Sequence, residues 1–189
     1  MDSSPRTYRF LPADVYTSGY RVVGKIMVST NGIMGVLNDI TKSYLEIHDA
    51  RLARIHMPTK LVDHFEVIRL VKTEIFVACA TRKEDLGPHA IVRGGYSNIT
   101  NLPARLVTSV YEIEGKLEVT GRFDFVTLIS DKTRNFVPLF DAALTAILIP
   151  NLKVESPGIL FNREKIDMLA MLNQRAKEEK PPAAGQPQG

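Results

Sequence analysis

Four histidines are the residues whose type and spacing come nearest to a ligand set. His48, His56 and His64 follow one another at equal intervals, and His89 comes later in the chain. Structural zinc sites take their ligands from pairs at short local spacing, and no second pair of Cys, His or carboxylate residues accompanies these histidines. We therefore expect solvated or hydrogen-bonded histidines and no metal site.

The sequence also lacks the patterns of nucleophilic and acid–base catalysis. It has no glycine-rich nucleotide loop of known spacing, no serine elbow and no zinc-protease helix. The segment from Arg93 to Ser97 has two glycines, which is too short a signal for a phosphate cradle and leaves only a weak anion-binding loop as an alternative. The pairs Glu84-Asp85 and Glu178-Glu179 lie in charged surroundings that keep both members solvated. We expect no enzyme, no catalytic residue and no cofactor.

The remaining reactive side chain is a single cysteine. Cys79 lies in an apolar run from Ile75 to Ala80, and the chain has no second cysteine with which it could form a disulfide. Small buried thiols are common in such runs, so the sequence predicts a core residue.

Comparison of the chain with itself reveals a repeat. The segment from Tyr20 to Val28 matches the one from Tyr111 to Val119, 91 positions later, with its Gly-Lys pair intact. Leu37-Asn38-Asp39 then faces Ile129-Ser130-Asp131 at an offset of 92, and the segment from Leu70 to Ile75 faces Phe161 to Ile166 at 91 again. Order, spacing and residue character persist over about forty positions, which predicts a tandem duplication.

The repeat sets the expected domain boundaries. Residues 1–17 form an N-terminal arm, 18–82 the first β-rich repeat, 83–108 a linker with Gly-Pro and Gly-Gly signals, and 109–173 the second repeat. Residues 174–189 are charged and then rich in Pro, Ala and Gln, too poor in apolar residues to order, so we expect a disordered tail.

Each repeat reads as a strongly curved, mainly β unit with at most one turn of helix. The opening strands alternate and contain Gly24 and Gly115, which indicate a bulge or a bend where another segment approaches. We expect Asp39, Asp49, Asp131 and Asp141 to form turns through side-chain bonds to nearby backbone amides. The last element is a strand in the first repeat, whereas in the second the pattern fits strand or helix. The predicted fold class is mainly β (α+β), with two tandem barrel-like domains.

Charge and hydropathy limit the partners. Lys and Arg number 24 against 21 Asp and Glu, a balance that is not a nucleic-acid footprint, although Lys42, Arg51 and Arg54 are candidate phosphate contacts in the more basic first repeat. No apolar stretch approaches the roughly 18 to 20 residues that a membrane helix needs. The N-terminal residues do not fit a secretion signal. We expect a cytoplasmic protein without membrane insertion.

Two resemblances bear on the fold. Ile129-Ser130-Asp131, the segment from Phe136 to Ala142 and the segment from Phe161 to Ile166 resemble a bacterial family of uncharacterised small β-rich domains, and the first repeat matches it more loosely. That resemblance implies an origin and no activity. A weaker one is to Sm-like RNA-binding barrels, carried by Gly35-Val36-Leu37, Asp39, Tyr44-Leu45 and Asp49-Ala50. It implies a small barrel, but Arg69-Leu70 and Asn162-Arg163 stand where the family's RNA-contacting Arg-Gly pair belongs.

These observations favour a non-enzymatic protein-interaction, scaffold or regulatory module. The duplication supplies pseudo-symmetric surfaces for a protein partner or for self-association. An Sm-like nucleic-acid-binding protein and a small-ligand or nucleotide sensor are the alternatives.

Overall fold

The computed structural model describes residues 8–90, 99–131 and 133–172 and contains one mainly β structure. Its strands are β1 (Arg9–Tyr16), β2 (Tyr20–Val28), β3 (Tyr44–Arg54), β4 (Leu61–Val71), β5 (Val77–Ala80), β6 (Ile99–Thr108), β7 (Tyr111–Thr120), β8 (Phe136–Ala146), β9 (Ile149–Asn162) and β10 (Ile166–Met171). The helices are α1 (Gly32–Leu37) and α2 (Phe125–Ser130), and short 3₁₀ turns cover Lys72–Glu74, Lys83–Leu86 and Arg163–Lys165. The predicted β class is confirmed.

All ten strands belong to one antiparallel sheet with the order β10-β6-β7-β8-β9-β5-β1-β2-β3-β4. This corrects the expectation of two separate small sheets. The reason is a pairing between the halves: Val77 lies opposite Phe161, and Ala80 lies opposite Gly158, so that β5 and β9 merge the halves edge to edge. The strand order is open, and its two outer strands are β10 and β4.

The strands of residues 8–90 and of residues 99–172 follow the same order. Strands β5-β1-β2-β3-β4 form the first half of the sheet, and β10-β6-β7-β8-β9 form the second. In each half a helix separates the second and third strands, and a 3₁₀ turn separates the fourth and fifth. The element that the sequence left open, after Asn162, is strand β10.

The first strand of each half lies outside the predicted repeats. Strand β1 falls in the segment expected as an arm, and β6 falls in the expected linker. Both carry a proline, Pro12 and Pro103, which weakens a strand pattern in sequence. Residues 1–7, the glycine pair in the Arg93 to Ser97 segment and the tail 174–189 lie outside the described residues.

The predicted bulges at Gly24 and Gly115 are confirmed. The register between β2 and β3 shifts around Gly24, and that between β7 and β8 shifts around Gly115. A Cβ atom on Gly24 would lie 2.6 Å from Cγ2 of Ile47, and one on Gly115 would lie 2.7 Å from Cγ of Leu139. Glycine therefore allows the neighbouring strand to approach at the bend.

The core consists of two clusters, and each combines side chains from both halves. One joins Ile33, Met34 and Leu37 of α1 to Phe136 and Phe140 of β8. The other joins Tyr16, Phe76 and the buried Cys79 to Tyr111 and Ile159. The position of Cys79 confirms its predicted place in the core, where burial raises the pKa of its thiol. No helix of the described residues is long and apolar enough to cross a membrane.

Candidate functional site

Asp39 and Asp131 form matching turns after the two helices. Oδ1 of Asp39 accepts hydrogen bonds from the backbone N–H of Thr41 at 2.9 Å and from its hydroxyl at 2.7 Å. Oδ1 of Asp131 accepts the same two bonds from Thr133, at 2.8 and 2.5 Å. The threonine hydroxyl and N–H lower the pKa of each carboxyl below its usual value. The carboxylates are thus committed to the local backbone.

Asp49 and Asp141 lie inside continuous strands instead of between two strands, which corrects the predicted turns. Their φ angles are 50° and 46°, in the left-handed region that aspartate tolerates better than most residues. Each lies beside a glycine bulge, since Lys25 pairs with His48 and Lys116 pairs with Phe140 across the register shifts. The two positions share a left-handed backbone conformation beside a bulge, and the Asp-Ala pattern in the sequence does not distinguish this from a turn.

The side chains of these two aspartates bind cations on neighbouring strands. Asp49 accepts from Nζ of Lys25 at 3.3 Å and contacts Nε2 of His64 at 2.8 Å. Asp141 accepts from Nζ of Lys116 at 2.8 Å. Hydrogen bonds from His64 and then Lys25 lower the pKa of the Asp49 carboxyl. All of these groups are exposed, so the two lysine–aspartate contacts are weak surface ion pairs, and the Asp49–His64 contact is a surface hydrogen bond.

The predicted nucleic-acid candidates do not converge. Lys42 precedes β3, Arg51 lies in its second half, and Arg54 is its last residue. An extended strand of that length spans roughly 35 Å, so the outer two charges are far apart along the sheet. Within the described ranges no three His, Cys, Asp or Glu residues gather as ligands for a metal ion. The ring of His48 contacts Phe10 edge to face instead, with centroids 5.0 Å apart.

Two buried cations, Lys72 and Arg163, were not predicted from the sequence. Nζ of Lys72 donates to the carbonyls of Val36 at 2.8 Å and Asp39 at 2.7 Å, at the end of α1. Arg163, 91 positions later, donates to the carbonyl of Ile129 at 2.7 Å, at the end of α2. Each cation satisfies carbonyls that a helix leaves unpaired at its last turn. The sequence did contain a signal for these two residues, because a basic residue recurs at the matching positions 72 and 163.

Three side-chain contacts reinforce the junction between β5 and β9. Asn38 donates to the carbonyl of Phe136 at 2.9 Å and accepts from its N–H at 2.8 Å. The amide of buried Asn162 donates to the carbonyl of Ile75 at 3.0 Å. The hydroxyl of Tyr111 donates to the carbonyl of Thr17 at 2.5 Å. The two halves are therefore joined by backbone pairing, shared apolar side chains and buried polar contacts.

A cavity of about 270 Å³ lies at the junction, beside the turn of Asp39. Its polar lining includes Lys42, Lys72, Asn135, Asn162 and Glu164. The ammonium of Lys72 and the amide of Asn162 already bind backbone carbonyls, as described above. The volume is slightly below the range of about 300 to 1,000 Å³ that is usual for ligand pockets.

The side chains of the outer strands are more exposed than those of the strands at the junction. Residues 158–162 of β9 are all buried against β5, whereas the corresponding residues 67–71 of β4 are exposed or half-buried. Val67 and Val71 are 39% and 52% exposed, and on β10 Met168 and Met171 are 50% and 39% exposed. No described strand pairs with the outer side of β4 or β10. These two strands are the candidate functional surfaces.

No protein-family model, curated protein or solved structure matches this chain.

Proposed function

We propose that the protein is a non-enzymatic interaction module that binds polypeptide segments along its free sheet edges, β4 and β10. An edge strand presents unpaired N–H and C=O groups, and an added strand gains affinity from main-chain hydrogen bonds and specificity from alternate side chains. The single observation that carries the proposal is the pair of apolar outer strands, each of which lacks a neighbour on one side among the described residues, whereas every interior strand has a neighbour on both sides.

The composition of β4 is typical of an edge that binds another strand, and not of an edge that is blocked against pairing. Natural edge strands are usually blocked by proline, by inward charges or by being very short. Strand β4 has 11 residues, contains no proline, and exposes apolar side chains along its length: Leu61, Val62, Phe65, Val67 and Val71. Its charged residues Asp63, Glu66 and Arg69 interrupt that surface and favour selective pairing over general aggregation.

A tandem duplication explains why the chain has two such edges. The halves share strand order, the glycine bulges, the left-handed aspartates and the buried cations Lys72 and Arg163. A unit with five strands in this order has two edges, and one edge of each half is used in the β5–β9 junction. The other two remain for partners.

Hydrogen exchange with a strand peptide tests this function. The peptide carries the sequence from Ile75 to Arg82, with serine in place of Cys79 and with added terminal lysines. This segment contains β5, which pairs with the edge of the other half at β9. We expect slower amide exchange in β4 when the peptide is present, and no change in the interior strand β2. A scrambled peptide is the control. Unchanged exchange in both β4 and β10 at saturating peptide would refute the function.

A further inference from the structure

We propose that the partner of these edges is a second copy of the chain, with β10 of one copy pairing antiparallel with β4 of the next. This inference rests on the proposed function and names the occupant of the same surfaces. Its origin is the junction between the halves, where the fifth strand of one half already pairs with the fourth strand of the other.

The internal junction specifies the register between copies. Within the chain, Val77 pairs with Phe161 and Ala80 pairs with Gly158. Strand β10 contacts β6 as β5 contacts β1: Met171 pairs with Ala104 as Ala80 pairs with Ala13. Strand β4 likewise pairs with β3 as β9 pairs with β8. Transferring the junction to the outer strands therefore places Met168 opposite Leu70, Leu169 opposite Arg69, Ala170 opposite Ile68 and Met171 opposite Val67 of the next copy.

The proposed contact between copies would also bury a second surface, the apolar face of α2, which is exposed in the single copy. In α1 the side chains of Ile33, Met34 and Leu37 are nearly inaccessible, since they share a core cluster with Leu86 of the 3₁₀ turn after β5 and with Phe136 and Leu160 of the other half. The α2 residues at the matching positions are Phe125, Val126 and Ile129, and they are 45%, 69% and 40% exposed. Within residues 8–90, 99–131 and 133–172, no element buries this apolar helix face, which lies on the half whose outer strand is β10.

The residues that would cover α2 are present on the β4 side. Tyr44 and Arg69 occupy the positions that Phe136 and Leu160 occupy at the internal junction. The guanidinium of Arg69 lies 6.0 Å from the ring centre of Tyr44, which presents an aromatic face and an aliphatic stem together. One contact between copies would thus bury both the strand edge and the helix face.

The interface between copies is weaker than the internal one. Asn38, which binds the backbone of Phe136, corresponds to Ser130, and Asn162, which binds the carbonyl of Ile75, corresponds to Val71. These shorter or apolar side chains cannot make the same backbone bonds. We therefore expect reversible, concentration-dependent association. A head-to-tail contact closes into a ring or extends into a filament, depending on the rotation between copies.

Sedimentation velocity of the full chain over a concentration series tests the register. The predicted neighbours Val67 and Met171 are both exposed in the single copy, so their variants are expected to fold. We expect Val67→Lys with Met171→Lys to weaken association more than tenfold, because like charges then face each other. Val67→Glu with Met171→Lys is expected to restore it to within about threefold of the original chain. Circular dichroism and thermal melting establish that each variant is folded.

The matched control moves the carboxylate away from the predicted pair. Leu61→Glu with Met171→Lys introduces the same charges, but Leu61 lies at the other end of β4, so association should stay as weak as with Met171→Lys alone. Equal rescue by Leu61→Glu, or a monomer at every concentration up to several hundred micromolar, would overturn the inference. A monomer that still protects β4 with the strand peptide would leave the proposed function standing, whereas failure of both would remove both.

Discussion

The side chain of Asn38 bonds both backbone groups of Phe136, which lies 98 positions later in the chain. The amide thus acts as one more pairing residue beside the junction of β5 and β9. It holds the end of α1 against the first residue of β8, where the two halves meet.

Replacing Asn38 with Asp is expected to destabilise the junction. The carboxylate can still accept from the N–H of Phe136, but it cannot donate to the carbonyl, which is left unsatisfied in a part-buried setting. The expected loss is about 1 to 3 kcal/mol in the free energy of unfolding, measured by urea denaturation. Asn151→Asp at an exposed position of β9 is the control and should change it by less than about 0.5 kcal/mol. Equal effects at both sites would contradict the role of Asn38.

Alanine substitutions at three glycines test whether close packing at the two bulges requires the absence of a side chain. Gly24→Ala and Gly115→Ala each place a Cβ less than 3 Å from the neighbouring strand, so each should cost about 1 to 3 kcal/mol or more. Gly19→Ala meets nothing within 4 Å and serves as the matched control, with little or no loss. Thermal melting monitored by circular dichroism measures all three. A loss for Gly19→Ala as large as for Gly24→Ala would show that packing at the bulge is not the cause.

The sequence predicted the β class, the glycine bulges and the buried cysteine, because alternation and isolated glycines reflect local backbone geometry. It did not predict that the halves share one sheet. The pairing of Val77 with Phe161 depends on partners far apart in sequence, and no local pattern encodes which edges meet. The strands with Pro12 and Pro103 were missed because proline weakens a strand signal in a single sequence.

Less of the candidate site than of the fold could be predicted from the sequence. Asp49 and Asp141 occupy matching positions in the two halves, and their shared property is a left-handed backbone at a bulge. The edges β4 and β10 carry no motif at all. They are identified by the burial of corresponding residues at the internal junction, which requires the three-dimensional arrangement.

Acid should weaken the contacts of Asp49. Its carboxyl pKa in the folded protein is lowered from the ordinary value of 3.8 by hydrogen bonds from His64 and Lys25. A depressed folded pKa contributes stability that is present above pH 3.8 and is lost as the pH falls through the folded value. Asp49→Asn keeps a residue that tolerates positive φ but removes this titration, so its melting temperature should fall less steeply between about pH 4 and pH 2. Parallel acid profiles for both proteins would exclude the contribution.

Ser130→Asn should strengthen association between copies if the internal junction is the template. The new amide would stand where Asn38 stands in the first half and could bind the backbone of Tyr44 in the next copy. A gain of about 1 kcal/mol for such a bond corresponds to roughly fivefold tighter association. Sedimentation velocity measures it, and Thr127→Asn on the same exposed helix is the control. Tighter association with Thr127→Asn alone would assign the effect to another surface.

Binding to nucleic acid is expected to be weak and non-specific. Phosphate contacts make affinity fall steeply with salt, with a slope proportional to the number of phosphates neutralised. Here the exposed candidate Lys42 precedes β3, whereas Arg51 and Arg54 lie in its second half. Other cations such as Arg69 and Lys116 already pair with carboxylates. We expect no affinity for mixed single-stranded RNA or DNA tighter than roughly 10⁻⁴ to 10⁻⁶ M at physiological salt. Fluorescence anisotropy across a salt series measures this. Sub-micromolar, salt-sensitive binding that weakens when the three candidates are replaced by Ala would favour the Sm-like nucleic-acid alternative over the interaction module.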